Sequence, residues 1–163
     1  EISLGLVGSE MCIRDSSYDG IIAGGDTLVE HLIVEGCNIL GTSHRYGVAL
    51  GGVTQNCIVT ENTVEGGTSP IINNGTNNIV RRNRGYTTEN SGTATFSGDG
   101  STTQFKIEHG LVSTPSKVLV TPMTADAAGD FYVTVDDTYI YVNYKSAPAS
   151  GADNVKLNWL AEV

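Results

Sequence analysis

Charge is scarce in this sequence: only 17% of its 163 residues are Asp, Glu, Lys or Arg. That scarcity excludes a charge-laced coiled coil, and a hydrophobic share of 39% excludes a disordered tail. Basic residues are the rarer sign, 9 against 18 acidic, giving a formal net charge of −9. An acidic surface repels phosphate backbones and anionic lipid, so neither nucleic acid nor a membrane is expected as a partner. No apolar run approaches the ~18 residues that a bilayer-spanning helix needs. Cysteine is limited to Cys12, Cys37 and Cys57, an odd number with no CxxC pair. These read as buried, reduced thiols rather than disulfide partners or metal ligands. His31, His44 and His109 are isolated and lack ligand spacing, so no metal and no cofactor is expected. There is no glycine-rich phosphate loop and no nucleophile–base pair.

What is present is turn chemistry. The chain has 20 glycines against 4 prolines, and Asn, Thr and Val abound. That mixture favours many short strands joined by tight turns and disfavours helices, so an all-β chain is expected.

Residues 17–86 are loosely self-similar. Ile33-Val34-Glu35-Gly36-Cys37, Ile58-Val59-Thr60-Glu61-Asn62 and Ile79-Val80-Arg81-Arg82-Asn83 share one template. A second family runs out of phase with it: Gly20-Ile21-Ile22, Gly47-Val48-Ala49 and Pro70-Ile71-Ile72. Two short apolar strands per repeat, with Gly/Asn/Thr turns between, predict a stacked parallel solenoid. A βαβ arrangement would need a helix in each connection, and stretches such as Asn73-Asn74-Gly75-Thr76-Asn77-Asn78 carry no helical period. Asn62 and Asn83 fall at equivalent positions, with Cys37 on the preceding repeat. They are read either as a stacked hydrogen-bonded ladder or as ordinary left-handed turn residues. On these Ile-Val-x-x-Asn repeats the segment resembles right-handed parallel β-helix proteins of the pectate-lyase-like class.

Residues 1–16 do not follow this pattern. The apolar stretch is broken by Glu10, Arg14 and Asp15, so it is not a signal peptide. Val7–Ser16, VGSEMCIRDS, resembles the conceptual translation of a transposon-end sequencing adapter. The resemblance implies a non-native leader, a metagenomic source and a native protein that continues upstream.

Composition changes near Tyr86. All five arginines precede that point and all four lysines follow it, as do eight of the eleven aromatics. Residues 87–92 are polar and end in glycine, which reads as a linker. Over 93–163 the apolar residues alternate with period two: Phe105 with Ile107, Val118 with Val120, Phe131 with Val133 and Val135, Ile140 with Val142, and Val155 with Leu157 and Trp159. Turns are marked at Gly98–Ser101, at Asp136-Asp137 and over Ala147–Asp153. Five or six antiparallel strands in about 70 residues predict a small β-sandwich. Tyr132, Tyr139 and Tyr141 alternate with inward residues and should point outward, where they serve either a protein interface or carbohydrate stacking.

Phe96–Phe105, His109-Gly110-Leu111, Pro115-Ser116-Lys117-Val118 and Val120-Thr121-Pro122 resemble modules at the ends of phage tail fibres and tailspikes. The resemblance implies a trimerising or capping domain. Tyr132, Tyr139, Tyr141 and His109 are the candidate interface residues, His109 being read either as a surface turn residue or as lying near a trimer axis. It also implies a homotrimer located in a virion tail, with cell-surface polysaccharide as a partner of the parent protein. The alternative is a secreted carbohydrate-binding or polysaccharide-degrading protein. Catalytic residues are not expected within this chain. Glycoside hydrolysis needs paired carboxylates about 5–5.5 Å or ~6.5–9.5 Å apart, and Glu35 and Glu61 are offset by one position in the template. Any lyase or glycosidase activity is assigned to an upstream region.

Overall fold

The computed structural model describes residues 20–25, 28–41 and 44–163, together with the backbone strands at 5–6 and 13–14. Most of the leader expectation, and Cys12, therefore fall outside the described residues. Among those described, every element is a strand; there is no helix. The chain divides into two compact units, Glu1–Thr87 and Thr88–Val163.

Among the described residues, the first unit contains twelve short strands. In chain order they are β1 (Gly5–Leu6), β2 (Ile13–Arg14), β3 (Ile21–Ala23), β4 (Val29–Glu30), β5 (Ile33–Glu35) and β6 (Asn38–Leu40). Then come β7 (Tyr46–Leu50), β8 (Thr54–Gln55), β9 (Ile58–Thr60), β10 (Thr63–Glu65), β11 (Ser69–Asn73) and β12 (Ile79–Arg81). Each strand skips its sequence neighbours and pairs in parallel with the strand one repeat away, giving sheets ordered β1-β5-β9-β12, β10-β6-β2, β11-β7-β3 and β4-β8. Every described ladder in this unit is parallel. The registers are those of the two sequence families: Ile33↔Ile58↔Ile79 and Ile21↔Val48↔Ile71. Each repeat holds more strands than the expected two, because β4/β8 and β6/β10 are only two or three residues long and carry too few apolar residues to show a period.

The interior is a column of stacked aliphatic side chains, with Val34 on Val59 and Ile39 on Val64, all essentially without solvent exposure. Cys37 and Cys57 are buried free thiols within the same column. Burial in these apolar surroundings pushes the Cys37 thiol pKa up.

Two corners flank the central strand of each repeat, and both need left-handed backbone. His31, Asn56 and Asn77 take φ of 58°, 54° and 55° before it, and Gly36, Glu61 and Arg82 take 67°, 56° and 52° after it. Glycine at position 36 satisfies this at no steric cost; glutamate and arginine do not. The next position holds the ladder. Asn62 Nδ2 donates to Asn83 Oδ1 at 2.9 Å and to the Val34 carbonyl at 3.0 Å. The backbone N–H of Cys37 donates to Asn62 Oδ1 at 2.9 Å, and that of Asn62 to Asn83 Oδ1 at 3.1 Å. The asparagines are thus a ladder, and the left-handed residue is the one before each of them. A parallel connection runs through Cys57, whose N–H donates to Asn78 Oδ1 at 2.9 Å.

The second unit contains β13 (Glu89–Gly98), β14 (Gln104–Glu108), β15 (Lys117–Pro122), β16 (Phe131–Val135), β17 (Tyr139–Tyr144) and β18 (Gly151–Glu162). They form two three-stranded antiparallel sheets, β13-β18-β15 and β14-β17-β16. The alternating residues supply one core, in which Phe105, Ile107, Ile140 and Val142 pack with Val155, Leu157 and Ala161. Phe96, Phe105, Tyr144 and Phe131 form a chain of ring contacts with centroids 5.0–5.8 Å apart. Tyr144 donates its hydroxyl to the Ala127 carbonyl at 2.9 Å, so this buried polar atom is satisfied.

Two boundaries differ from the sequence reading. The polar stretch 87–92 is not a loose linker: from Glu89 onward it is strand, paired residue for residue with Trp159–Glu162. Polar composition misled here because the strand's first three residues are exposed and carry no inward apolar residue. The loop expected over Ala147–Asp153 ends earlier, at the start of β18, since the β13–β18 ladder extends to Gly98↔Gly151.

Candidate interaction surfaces of the antiparallel unit

The outer face of the β14-β17-β16 sheet collects the expected tyrosines. Antiparallel register sets Lys106 opposite Tyr141 and Glu108 opposite Tyr139 on one side, and Tyr132 opposite Asn143 on the other. Tyr139 and Tyr141 stand edge to face, with centroids 6.1 Å apart at 67°. Lys106 Nζ lies 5.7 Å from the first ring centroid and 5.3 Å from the second, within cation–π range of both. Tyr132 is 60% exposed. Gln104 Nε2 donates to Asn143 Oδ1 at 2.8 Å, and Asn143 Nδ2 to Thr134 Oγ1 at 3.3 Å, completing a row of mutually bonded polar groups.

Tyr141 is fixed at its far end. Its hydroxyl donates to Asp136 Oδ2 at 2.6 Å, while Asp136 Oδ1 accepts the backbone N–H of Thr138 and of Tyr139 at 2.8 and 2.7 Å. The Tyr141 hydrogen bond, followed by those two backbone donors, lowers the Asp136 carboxyl pKa to about 2. The same bond, by stabilising the neutral phenol against a nearby carboxylate, raises the Tyr141 pKa. Asp99 plays the corresponding part in the first turn: Thr102, through hydroxyl and backbone, and Ser101 hold its carboxyl well below the usual range.

His109 is not on this surface. It is completely buried, so it belongs neither to an exposed turn nor to an interface. Its Nδ1 accepts the Leu111 N–H at 3.1 Å, which leaves Nε2 to carry the proton and donate to the Asp136 carbonyl, also at 3.1 Å. Its carbonyl accepts from Asn90 Nδ2 at 2.8 Å. The imidazole ties the turn after β14 to the turn before β17. A His-Gly-Leu sequence looks like surface turn chemistry, and nothing local in it reports the burial.

The β13-β18-β15 sheet carries a second outer face that the sequence reading missed. Leu119 pairs directly with Leu160 across the sheet, and both point away from the core, 63% and 41% exposed. Met123 continues the apolar strip at 54% exposure, its Sδ 4.0 Å from Thr93 Oγ1. Thr93, Thr121 and Asn158 edge the strip, and a shallow cavity of about 350 Å³ opens among these residues and Trp159. Gly92 makes room for the indole there, since a Cβ at that position would lie 3.2 Å from Trp159 Nε1. Lys117 and Glu162 close one end of the face with an ion pair at 3.1 Å. The signal was present but masked: Val118-Leu119-Val120 is an unbroken apolar run, in which the outward residue is hidden between two inward ones.

No family model matches this chain, and no match is found among curated proteins. Among solved structures, it is similar to the tailspike protein gp49 from Pseudomonas phage LKA1. The likeness has a TM-score of 0.40 and 14% identity, and covers 93% of this chain but 30% of the phage protein. The chain thus spans less than a third of that tailspike's length.

The two carboxylates weighed for catalysis, Glu35 and Glu61, occupy different positions in the repeat. Glu35 stands outward in β5, and Glu61 occupies the left-handed corner, where it pairs with Arg82 at 3.6 Å. Glu65 pairs with Arg84 at 3.1 Å. Among the described residues, no three His, Cys, Asp or Glu side chains are grouped as a metal site would require.

Proposed function

We propose that this chain is a structural module: a short parallel β-solenoid followed by a β-sandwich that joins three identical copies at the end of a tail-fibre- or tailspike-like virion protein. The observation that carries the reading is the exposed Leu119–Leu160 pair, extended by Met123, on a sheet face with a polar rim. Paired aliphatic side chains facing water are costly to leave uncovered, and an apolar centre with a polar rim is the anatomy of a self-associating surface. The number three is drawn from the resemblance of residues 93–163 to tail-fibre ends. In this reading the chain is a rigid scaffold without catalytic activity, and an upstream region engages cell-surface polysaccharide. Light scattering of the purified chain tests it. The expected mass is that of three copies, falling in L119D/L160D; a wild-type monomer at micromolar concentration would overturn the reading.

A second reading is favoured by the tyrosine face. Exposed Tyr132 beside the fixed Tyr139–Tyr141–Lys106 group offers aromatic surface of the kind a neutral sugar stacks on. In that case the chain is a carbohydrate-binding module of a secreted protein. A glycan-array signal abolished by Y139A/Y141A is the result that would favour it over the scaffold.

A further inference from the structure

The outward side of β5, β9 and β12, three neighbouring strands of the four-stranded sheet, carries two rows in strict register. One is Ile33, Ile58 and Ile79; the other, two positions on, is Glu35, Thr60 and Arg81. The isoleucines are not core residues, since Ile33 and Ile79 are 39% and 45% exposed. On β6 and β10 the residues Asn38 and Thr63 are polar, so the apolar row does not continue onto that sheet. The second row is neutral at its centre and oppositely charged at its ends. Neither Glu35 nor Arg81 has an ion-pair partner among the described residues, whereas Arg82 and Arg84 are paired with Glu61 and Glu65.

We infer that this face is a two-fold contact with a second copy of the chain running in the opposite direction. The argument is one of self-complementarity. An isologous interface must match itself under a two-fold rotation. An axis along β9 brings Thr60 against Thr60 and Ile58 beside Ile58. It then sets Glu35 against the partner's Arg81 at both ends, and each outer isoleucine against the opposite one. The repeat spacing matches automatically, because both surfaces step by the ~4.8 Å between paired strands. Parallel copies would gain none of the charge pairing, since Glu35 would meet Glu35. The contact involves six side chains from each copy, and its area falls below the ~1,200 Å² of standard interfaces. It is therefore weak, concentration-dependent and sensitive to salt. It lies on the coil, separate from the Leu119–Leu160 face, and adds a second level of association to the assembly proposed above.

Charge reversal tests it, in the full chain carrying L119D/L160D so that the other face is silent. Sedimentation is expected to show a two-copy species that grows with concentration and dissociates at high salt. E35R alone places Arg against Arg at both ends and is expected to weaken the pair roughly tenfold or more. E35R/R81E restores a self-complementary row, and with it the affinity to within about threefold of the parent. These exposed substitutions leave the interior column untouched. A strictly monomeric L119D/L160D chain at the highest accessible concentration, or no change in E35R, would overturn the inference. If L119D/L160D keeps the wild-type mass, the scaffold reading has failed instead, and the charge series is read in the wild-type chain.

Discussion

Asn62 donates its side-chain amide to Asn83 Oδ1 at 2.9 Å, one repeat further along the coil, while its own oxygen accepts the N–H of Cys37 from the repeat before. This single side chain satisfies two buried backbone groups of the preceding repeat, the Cys37 N–H and the Val34 carbonyl, and bonds to a side chain of the next. Replacing it with leucine keeps the volume but leaves the Cys37 N–H and the Val34 carbonyl without these partners. The expected loss is ~2–4 kcal/mol of stability in the first unit, measured by urea unfolding. A change below ~1 kcal/mol would mean that the ladder contributes little.

The left-handed corners store strain that glycine relieves. Glu61→Gly is expected to stabilise the coil by up to ~1 kcal/mol, because the side chain's αL penalty outweighs glycine's greater unfolded-state freedom. The exposed pair with Arg82 that is lost is worth only a few tenths. Thr60→Gly, one residue earlier in regular strand, should do the opposite. Thermal unfolding of the two variants separates them by sign.

Asp136 and Tyr141 give the second unit a pH dependence at both extremes. The Asp136 pKa is lower in the folded chain than the ordinary ~3.9 of an unfolded aspartate, so its contribution is present above about pH 4. It is lost as the pH falls through about 2. The Tyr141 pKa is raised, so its contribution is complete below ~10 and disappears as the phenol ionises in alkali. Phenolate absorbance should therefore show Tyr141 titrating late, alongside Tyr86 and Tyr144, whose phenols burial also pushes up. In D136N one tyrosine fewer should titrate late, and the acid-side loss of stability should shrink.

His109→Ala should act on stability rather than association. It removes a fully buried side chain that accepts from the Leu111 N–H and donates to the Asp136 carbonyl. A loss of ~2–4 kcal/mol in the second unit is expected on unfolding. The oligomer mass at low temperature should stay at the wild-type value.

Much of the strand pattern was legible because the two units obey simple periods. Ile33, Ile58 and Ile79 were found by repetition alone, and the inward residues of the second unit by alternation. What stayed hidden did so for physical reasons. A strand of two residues such as β8 has no period to display. The burial of His109 depends on contacts with residues 19 and 27 positions away. Of the expected surface residues, Tyr132, Tyr139 and Tyr141 share one face, but Leu119 and Leu160 on the opposite sheet were concealed by apolar neighbours in sequence.

Chain length varies from repeat to repeat in only part of the coil. Glu30 to Asn38, Gln55 to Thr63 and Thr76 to Arg84 each advance by the same eight positions, the block that holds both left-handed corners. By contrast, Ile21 to Glu30, Val48 to Gln55 and Ile71 to Thr76 shorten from nine to seven to five. The coil thus has a fixed spine and a tolerant flank. Foreign loops grafted near Gly52 or Asn74 should be carried without unzipping the stack, whereas an insertion of one residue between Thr60 and Asn62 would break it.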